Sequence, residues 1–349
     1  MDLLQNIRTQ SLRVMLRLPL SWISVLSGPS RNVDGFVIDT RTQWLLRLIA
    51  SYSYRPLEKM PLAEARAQFA LSMQVLGGWP QPIGEVVDRT IPGPAGRIPI
   101  RVFRPEHASS RPRGILVYLH GGGWTIGDVA SYDKPCRYLA AKSGCIVVSV
   151  GYRLSPETKF PGAIDDCLAA FRWVHEHAAS LGGRPDCVAI GGDSAGGNLA
   201  TVCSLLLRDA GGPLPAFQLL IYPAVDMVEQ RHSYDSCGKD FLLTTGMMTW
   251  FRDNYLSEAH DAHDWRASPL RAPSLAGLPP AFLCTAGFDP LRDEGKAYAD
   301  RLHAEGVATV YRNFESLIHG FAGFTGTIAA AARAMDEIAF ALRQGMPCD

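Results

Sequence analysis

The sequence predicts an α/β fold of the doubly wound kind: a mostly parallel central sheet flanked by helices, with a helical cap above it. Three observations point there. From about residue 99, short apolar or β-branched runs alternate with longer helix-compatible stretches. The runs are apolar throughout rather than at every second residue, the pattern of strands buried on both faces. The 349 residues, 47% hydrophobic and 19% charged, are enough for one large core with insertions.

The predicted strands are Ile98–Phe103, Gly114–Leu119, Cys145–Val150, Cys187–Ile190, Phe217–Tyr222, Ala281–Thr285 and Ala308–Phe314. Helices are expected near Lys134–Ser143, Ala163–Ala179, Ala195–Asp209, Arg292–Glu305 and Ile328–Gln344. Two segments break the alternation. Residues 1–80 read as helices (Thr42–Tyr52, Leu62–Leu76) with no strand among them, and residues 227–268 include an aromatic and methionine-rich stretch, Phe241–Tyr255. The expected organisation is an α/β domain of residues 81–226 and 269–349, capped by residues 1–80 and the insertion 227–268.

Zero formal charge and the absence of a basic stripe interleaved with aromatics argue against a nucleic-acid partner. The eight cysteines form no CxxC pair and no zinc-like grouping with histidine, so no metal is expected. Cys145, Cys187 and Cys284 lie in apolar runs where cysteine acts as a small hydrophobe, which predicts reduced structural thiols and a cytoplasmic setting. His175 and His177, two apart on a helix, face different ways and do not share a metal. Leu12–Leu26 is apolar but interrupted by Arg13 and Arg17. It is too short for an integral membrane span and reads as an amphipathic helix on the protein's own surface or, alternatively, in peripheral contact with a membrane through its Arg-flanked apolar face.

In a doubly wound sheet the chemistry lies beyond the carboxyl ends of the strands. Gly192-Asp193-Ser194-Ala195-Gly196 follows the strand Cys187–Ile190 and precedes a helix. A G-x-S-x-G turn in that context exposes the serine hydroxyl at the helix N-terminus and marks Ser194 as a nucleophile. His120-Gly121-Gly122-Gly123-Trp124 follows another strand. Its glycines let backbone N–H groups converge, so Gly122, Gly123 and Ala195 are the candidate oxyanion donors.

A serine hydroxyl needs a base. Of five histidines after Ser194, His319 alone sits just past a strand, beside Gly320 and Phe321; His303 falls inside a helix, and His232, His260 and His263 fall in the insertion. By the same criterion Asp289, after the strand Ala281–Thr285, is the acid that orients His319, with Asp293 as its rival one turn into the helix. Asp193 should point away from the base. Trp124, Phe241, Met247, Met248, Trp250 and Phe251 are candidate lining residues of an apolar substrate pocket, or else ordinary packing.

Together, His120–Trp124, Tyr152-Arg-Leu-Ser-Pro-Glu157, Gly192–Gly197, Asp289-Pro-Leu-Arg-Asp-Glu-Gly295 and His319-Gly-Phe321 resemble the hormone-sensitive lipase family of bacterial carboxylesterases, with Asp193 matching its GDSAG branch. The resemblance implies the α/β-hydrolase fold, a lid from the N-terminal segment and the insertion, and hydrolysis of short- to medium-chain acyl esters without a cofactor. It also implies a homodimer through the last strand, and a structural role for Tyr152–Glu157 in bracing the His120 loop. Ser155 departs slightly, since the family often has alanine there. A binding protein on the same scaffold would lack a member of the triad, and amides or lactones would use the same chemistry as esters.

Overall fold

The computed structural model describes residues 14–16, 18–51, 55–106 and 113–346. In chain order these form α1 (Leu20–Leu26), β1 (Asn32–Val33), β2 (Phe36–Val37), α2 (Thr40–Ser51), α3 (Leu62–Leu76), β3 (Glu85–Gly93), β4 (Gly96–Arg104), β5 (Arg113–Leu119), α4 (Asp133–Ser143), β6 (Ile146–Val150), α5 (Gly162–Glu176), α6 (Ala178–Leu181) and β7 (Gly183–Asp193). There follow α7 (Ala195–Asp209), β8 (Gln218–Ile221), α8 (His232–Cys237), α9 (Thr245–Tyr255), β9 (Ala281–Phe288), α10 (Arg292–Ala304), β10 (Thr309–Ile318) and α11 (Ala329–Gly345).

Eight strands make one sheet in the order β10-β9-β8-β7-β5-β6-β4-β3. The strands from β10 to β6 are parallel, and β4 and β3 are antiparallel additions at one edge. Successive side chains of a strand point to opposite faces. Ile115, Val117 and Leu119 of β5 therefore pack with α5 and α7, whereas Leu116 and Tyr118 pack on the other face with α4 and α11. Both faces are covered, as the uniformly apolar runs required.

The structure adds three corrections. β3 was not anticipated because only Ile91 of its nine residues is buried; an edge strand with one solvated face carries no apolar run. The N-terminal segment is not purely helical, for β1 and β2 form an antiparallel hairpin with two paired residues per strand, and its Val33 and Phe36 pack partly buried against the core. Finally, Cys187 is disulfide-bonded, while the six other described cysteines are free and buried. Sequence spacing does not reveal a bridge, which depends on two Cβ atoms meeting at about 3.8 Å in space. The bridge withdraws Cys187 from the argument for a reducing compartment.

Of the apolar N-terminal stretch, Leu12, Arg13 and Arg17 lie outside the described residues. Its described part ends in α1, which packs on α2 with Ile23 buried and Leu20, Trp22, Val25 and Leu26 exposed. No described helix is long and apolar enough to cross a membrane.

Candidate active site

Because β5, β7, β9 and β10 run parallel, their carboxyl ends lie along one edge of the sheet. Each is followed there by a residue singled out above: His120, Ser194, Asp289 and His319. Between β7 and α7 only Ser194 intervenes, at φ +55° and ψ −118°. A non-glycine residue in that region costs about 1–3 kcal/mol. The turn is held by Ser194 N–H donating to Ile221 O at 2.9 Å and Ser194 O accepting from Asn198 N–H at 3.0 Å. Gly196 is obligatory for close packing, since a Cβ there would stand 1.9 Å from Leu119 O.

The Ser194 hydroxyl lies 2.9 Å from His319 Nε2. His319 Nδ1 lies 2.7 Å from Asp289 Oδ2, and Asp289 Oδ1 accepts from Leu291 N–H at 2.8 Å. Asp289 is fully buried and His319 nearly so. A tilted Tyr222 ring, 4.7 Å from the imidazole, walls its side. The rival Asp293 is engaged elsewhere, with Arg292 Nε at 2.8 Å and Ser233 N–H at 2.9 Å. His303 is exposed on α10, and His232 faces Asp34 at 2.8 Å. His177 stacks on Trp173 with ring centroids 4.3 Å apart, and no cluster of metal-ligating side chains occurs among the described residues.

The N–H groups of Gly122, Gly123 and Ala195 have no acceptor among the described residues. Gly123 has φ +56°, and a Cβ on it would lie 2.1 Å from the Phe251 ring, which packs directly over the loop. Asp193 points away from His319, as its position predicts. It is buried and accepts from Tyr118 Oη at 2.8 Å, Tyr132 Oη at 3.0 Å and Gly121 N–H at 2.9 Å. Burial pushes its carboxyl above the usual range, and these three donors work against that shift. Asp193 thus ties the turn that carries Ser194 to the start of the glycine loop.

Tyr152 stacks on His120 with centroids 4.3 Å apart and donates to His120 O at 2.7 Å. Burial holds the His120 imidazole down to about 4, so it is neutral at ordinary pH. Ser155 N–H and Oγ–H both reach Trp124 O, at 2.8 and 3.1 Å. Tyr118 and Tyr132 escaped the sequence reading. The signal for them was Asp193 itself, an acid at the end of a buried strand that must find donors.

A cavity of about 840 Å³ opens above Ser194. Its walls include Leu45, Leu48 and Ile49 of α2, Leu71 and Val75 of α3, and Met248 of α9. Of the anticipated pocket residues, Trp124, Phe241, Met247, Met248 and Phe251 line it. Trp124 does so from a buried ring stacked on Tyr255 at 4.4 Å. Trp250 is a correction: it is not among the lining residues, and its ring packs against Phe251 at 5.1 Å. The helical step of roughly 100° per residue turns it off the face that Met247, Met248 and Phe251 share. Glu294 was also missed as a wall residue. It is fully buried, accepts from Val225 N–H at 2.7 Å and Tyr234 Oη at 2.8 Å, and burial pushes its carboxyl up to about 8.

Residues 116–323 match a family described by its α/β hydrolase fold. The chain is 42% identical to the carboxylic ester hydrolase LipN of Mycobacterium tuberculosis over 91% of its own length and 85% of that relative. It is 35% identical to the ethyl acetate hydrolase of Pseudomonas putida, over 83% of this chain and 92% of that one. Among solved structures, an ester hydrolase from the metagenome of Lake Arreo, complexed with a derivative of bipyridine phosphonate, superposes with a TM-score of 0.84. It is 42% identical, over 88% of this chain and 98% of that one.

Proposed function

The chain belongs to the α/β-hydrolase family, as a serine carboxylesterase of the hormone-sensitive-lipase-like bacterial group, and from that premise we propose that Ser194, His319 and Asp289 are its catalytic triad. The observation that carries this reading is the continuous path from the Ser194 hydroxyl through His319 to Asp289, at 2.9 and 2.7 Å, beside three free N–H groups.

Ser194 Oγ attacks the ester carbonyl carbon while His319 Nε2 takes its proton. Negative charge moves to the carbonyl oxygen, which accepts from the N–H groups of Gly122, Gly123 and Ala195. Each such donor contributes about 3 kcal/mol in comparable sites. Asp289 accepts from Nδ1–H and stabilises the imidazolium without taking its proton. As the tetrahedral adduct collapses, the C–O bond to the alcohol breaks and His319 protonates the leaving oxygen. Water then repeats the sequence: its oxygen bonds to the acyl carbon while His319 takes its proton, and the acyl–Oγ bond breaks as His319 returns that proton to Ser194 and the acid leaves.

The helices of residues 1–80 and the insertion 227–268 act as the cap, a reading supported by α2, α3 and α9 walling the cavity. Short- to medium-chain acyl esters are the substrates that this apolar wall favours. A homodimer through β10 is supported by that strand's place at the edge of the sheet, with Val310 exposed; light scattering on the purified protein tests it. The six free thiols support cytoplasmic residence, tested by cell fractionation. For the triad, the test is labelling with a fluorophosphonate. Ser194 should carry the label in the parent protein and none should appear after Ser194→Ala; label on another residue overturns the assignment.

A further inference from the structure

Arg66 stands on α3, one of the capping helices, yet its guanidinium reaches into the loop system under the oxyanion donors. Its Nε–H donates to Thr125 O at 2.9 Å and its Nη2–H to Ser155 O at 3.1 Å. The same fork takes Glu157, with Nη1 to Oε1 and Nη2 to Oε2 both at 2.7 Å. One side chain thus joins the capping helix to both the glycine loop and the Tyr152–Glu157 segment.

The path from Arg66 to the donors is short. Thr125 N–H and Ile126 N–H donate to Gly122 O at 3.0 and 2.9 Å. That carbonyl belongs to the same rigid peptide plane as the Gly123 N–H. Thr125 Oγ1–H donates to Gly123 O at 2.9 Å, which sets the next plane. Ser155, whose carbonyl Arg66 also holds, binds Trp124 O through its own N–H. Holding the carbonyls of Thr125 and Ser155 therefore sets the direction in which the Gly123 N–H points.

We propose that Arg66 is a positioning residue through which the seated cap helix aims the Gly123 oxyanion donor. As a contribution to stability the arrangement is screened in part, because the Arg66 and Glu157 side chains keep 29% and 57% of their surface exposed. It is well suited to alignment, because a planar fork fixes its partners in both distance and direction. α3 also walls the cavity with Phe69, Leu71 and Val75, so a substrate that fills the cavity seats the helix carrying Arg66. The inference rests on the triad and oxyanion reading above.

The test compares Arg66→Met, Arg66→Lys and Glu157→Gln with the parent on a p-nitrophenyl ester. It also measures inhibition by a trifluoromethyl ketone, which places a real oxyanion on the three donors. Arg66→Met should lose roughly 10- to 100-fold in kcat with KM within about threefold, since sub-ångström misalignment costs on that scale, and should lose ketone affinity by a similar factor. Arg66→Lys, which keeps the charge but not the fork, should recover only part of the loss. Glu157→Gln, which leaves the bonds to Thr125 and Ser155 possible, should lose less than about fivefold. Should Arg66→Met fail to fold, the Lys and Gln variants carry the test: parent-like kcat and ketone affinity in Arg66→Lys overturns the inference. So does an Arg66→Met protein with a lowered melting temperature but unchanged kcat and ketone affinity. Activity retained by Ser194→Ala would instead remove the underlying triad, so the two failures are distinguishable.

Discussion

The floor of the cavity, at the carboxyl edge of the sheet, and its walls, supplied by α2, α3 and α9, are held in different ways. On the floor nearly every group is fixed by a directed bond. Ser194, His319, Asp289, Asp193 and the glycine loop are joined by hydrogen bonds of 2.7–3.0 Å, and the serine sits in a strained backbone conformation. The walls are apolar side chains such as Leu45, Ile49, Leu71 and Met248, packed by dispersion and burial, which are non-directional. Chemistry demands placement to within tenths of an ångström, while fit to an acyl chain tolerates rearrangement. Substitutions on the floor should therefore affect kcat steeply, and those on the walls should redistribute preference among substrates.

The sharpest way to break that comparison is Ser194→Ala. Turnover of a short p-nitrophenyl ester should fall by about 10⁴-fold or more while the circular dichroism spectrum stays parent-like. Asp289→Asn should follow, with kcat lower by about 10³- to 10⁴-fold because the amide favours the wrong His319 tautomer; a loss under tenfold would transfer the role to another acid. Gly123→Ala joins the two regions. Its methyl would meet the Phe251 ring at 2.1 Å, and kcat should fall by about 10²-fold, the scale of one misplaced donor. Adding Phe251→Ala should recover part of that loss, and no recovery would mean that backbone strain alone is responsible.

On the wall, Ile49→Trp should cut kcat/KM for an octanoate ester by about tenfold and leave an acetate ester nearly unaffected. Equal losses on both would show that Ile49 acts on the floor instead. The smallest effect concerns stability. Burial raises the Glu294 carboxyl from its ordinary value of 4.5 to about 8, so the folded protein keeps a proton that the unfolded chain releases between those values. This contribution is present in full below pH 4.5 and is lost as the pH rises through 8. Glu294→Gln should flatten the decline in urea-measured stability between pH 5 and 9 by about 1–3 kcal/mol. An unchanged slope would place the pH dependence elsewhere.

What was legible in the chain was what local order imposes. Apolar runs announced the central strands, and Ser194, Asp289 and His319 were each named because they follow such a run. β3 was hidden because an edge strand carries too few buried residues for its period to show. The hairpin at residues 32–37 was hidden because two paired residues per strand leave no period. For Trp250 the choice between pocket lining and packing stays open in the sequence, because a stretch rich in aromatics shows that a helix is apolar without showing which flank faces the cavity.

Local order along the chain sets the succession of strands and helices, the turn that carries Ser194, and the glycine loop before it, since backbone conformation and side-chain period act over a few residues. Long-range packing brings residues 194, 289 and 319 together, buries Asp193 between Tyr118 and Tyr132, closes the bridge at Cys187 and carries Arg66 to Thr125. These depend on which distant segments pack together, and a distance between two side chains far apart in the chain is set by the whole fold rather than by either residue's neighbours.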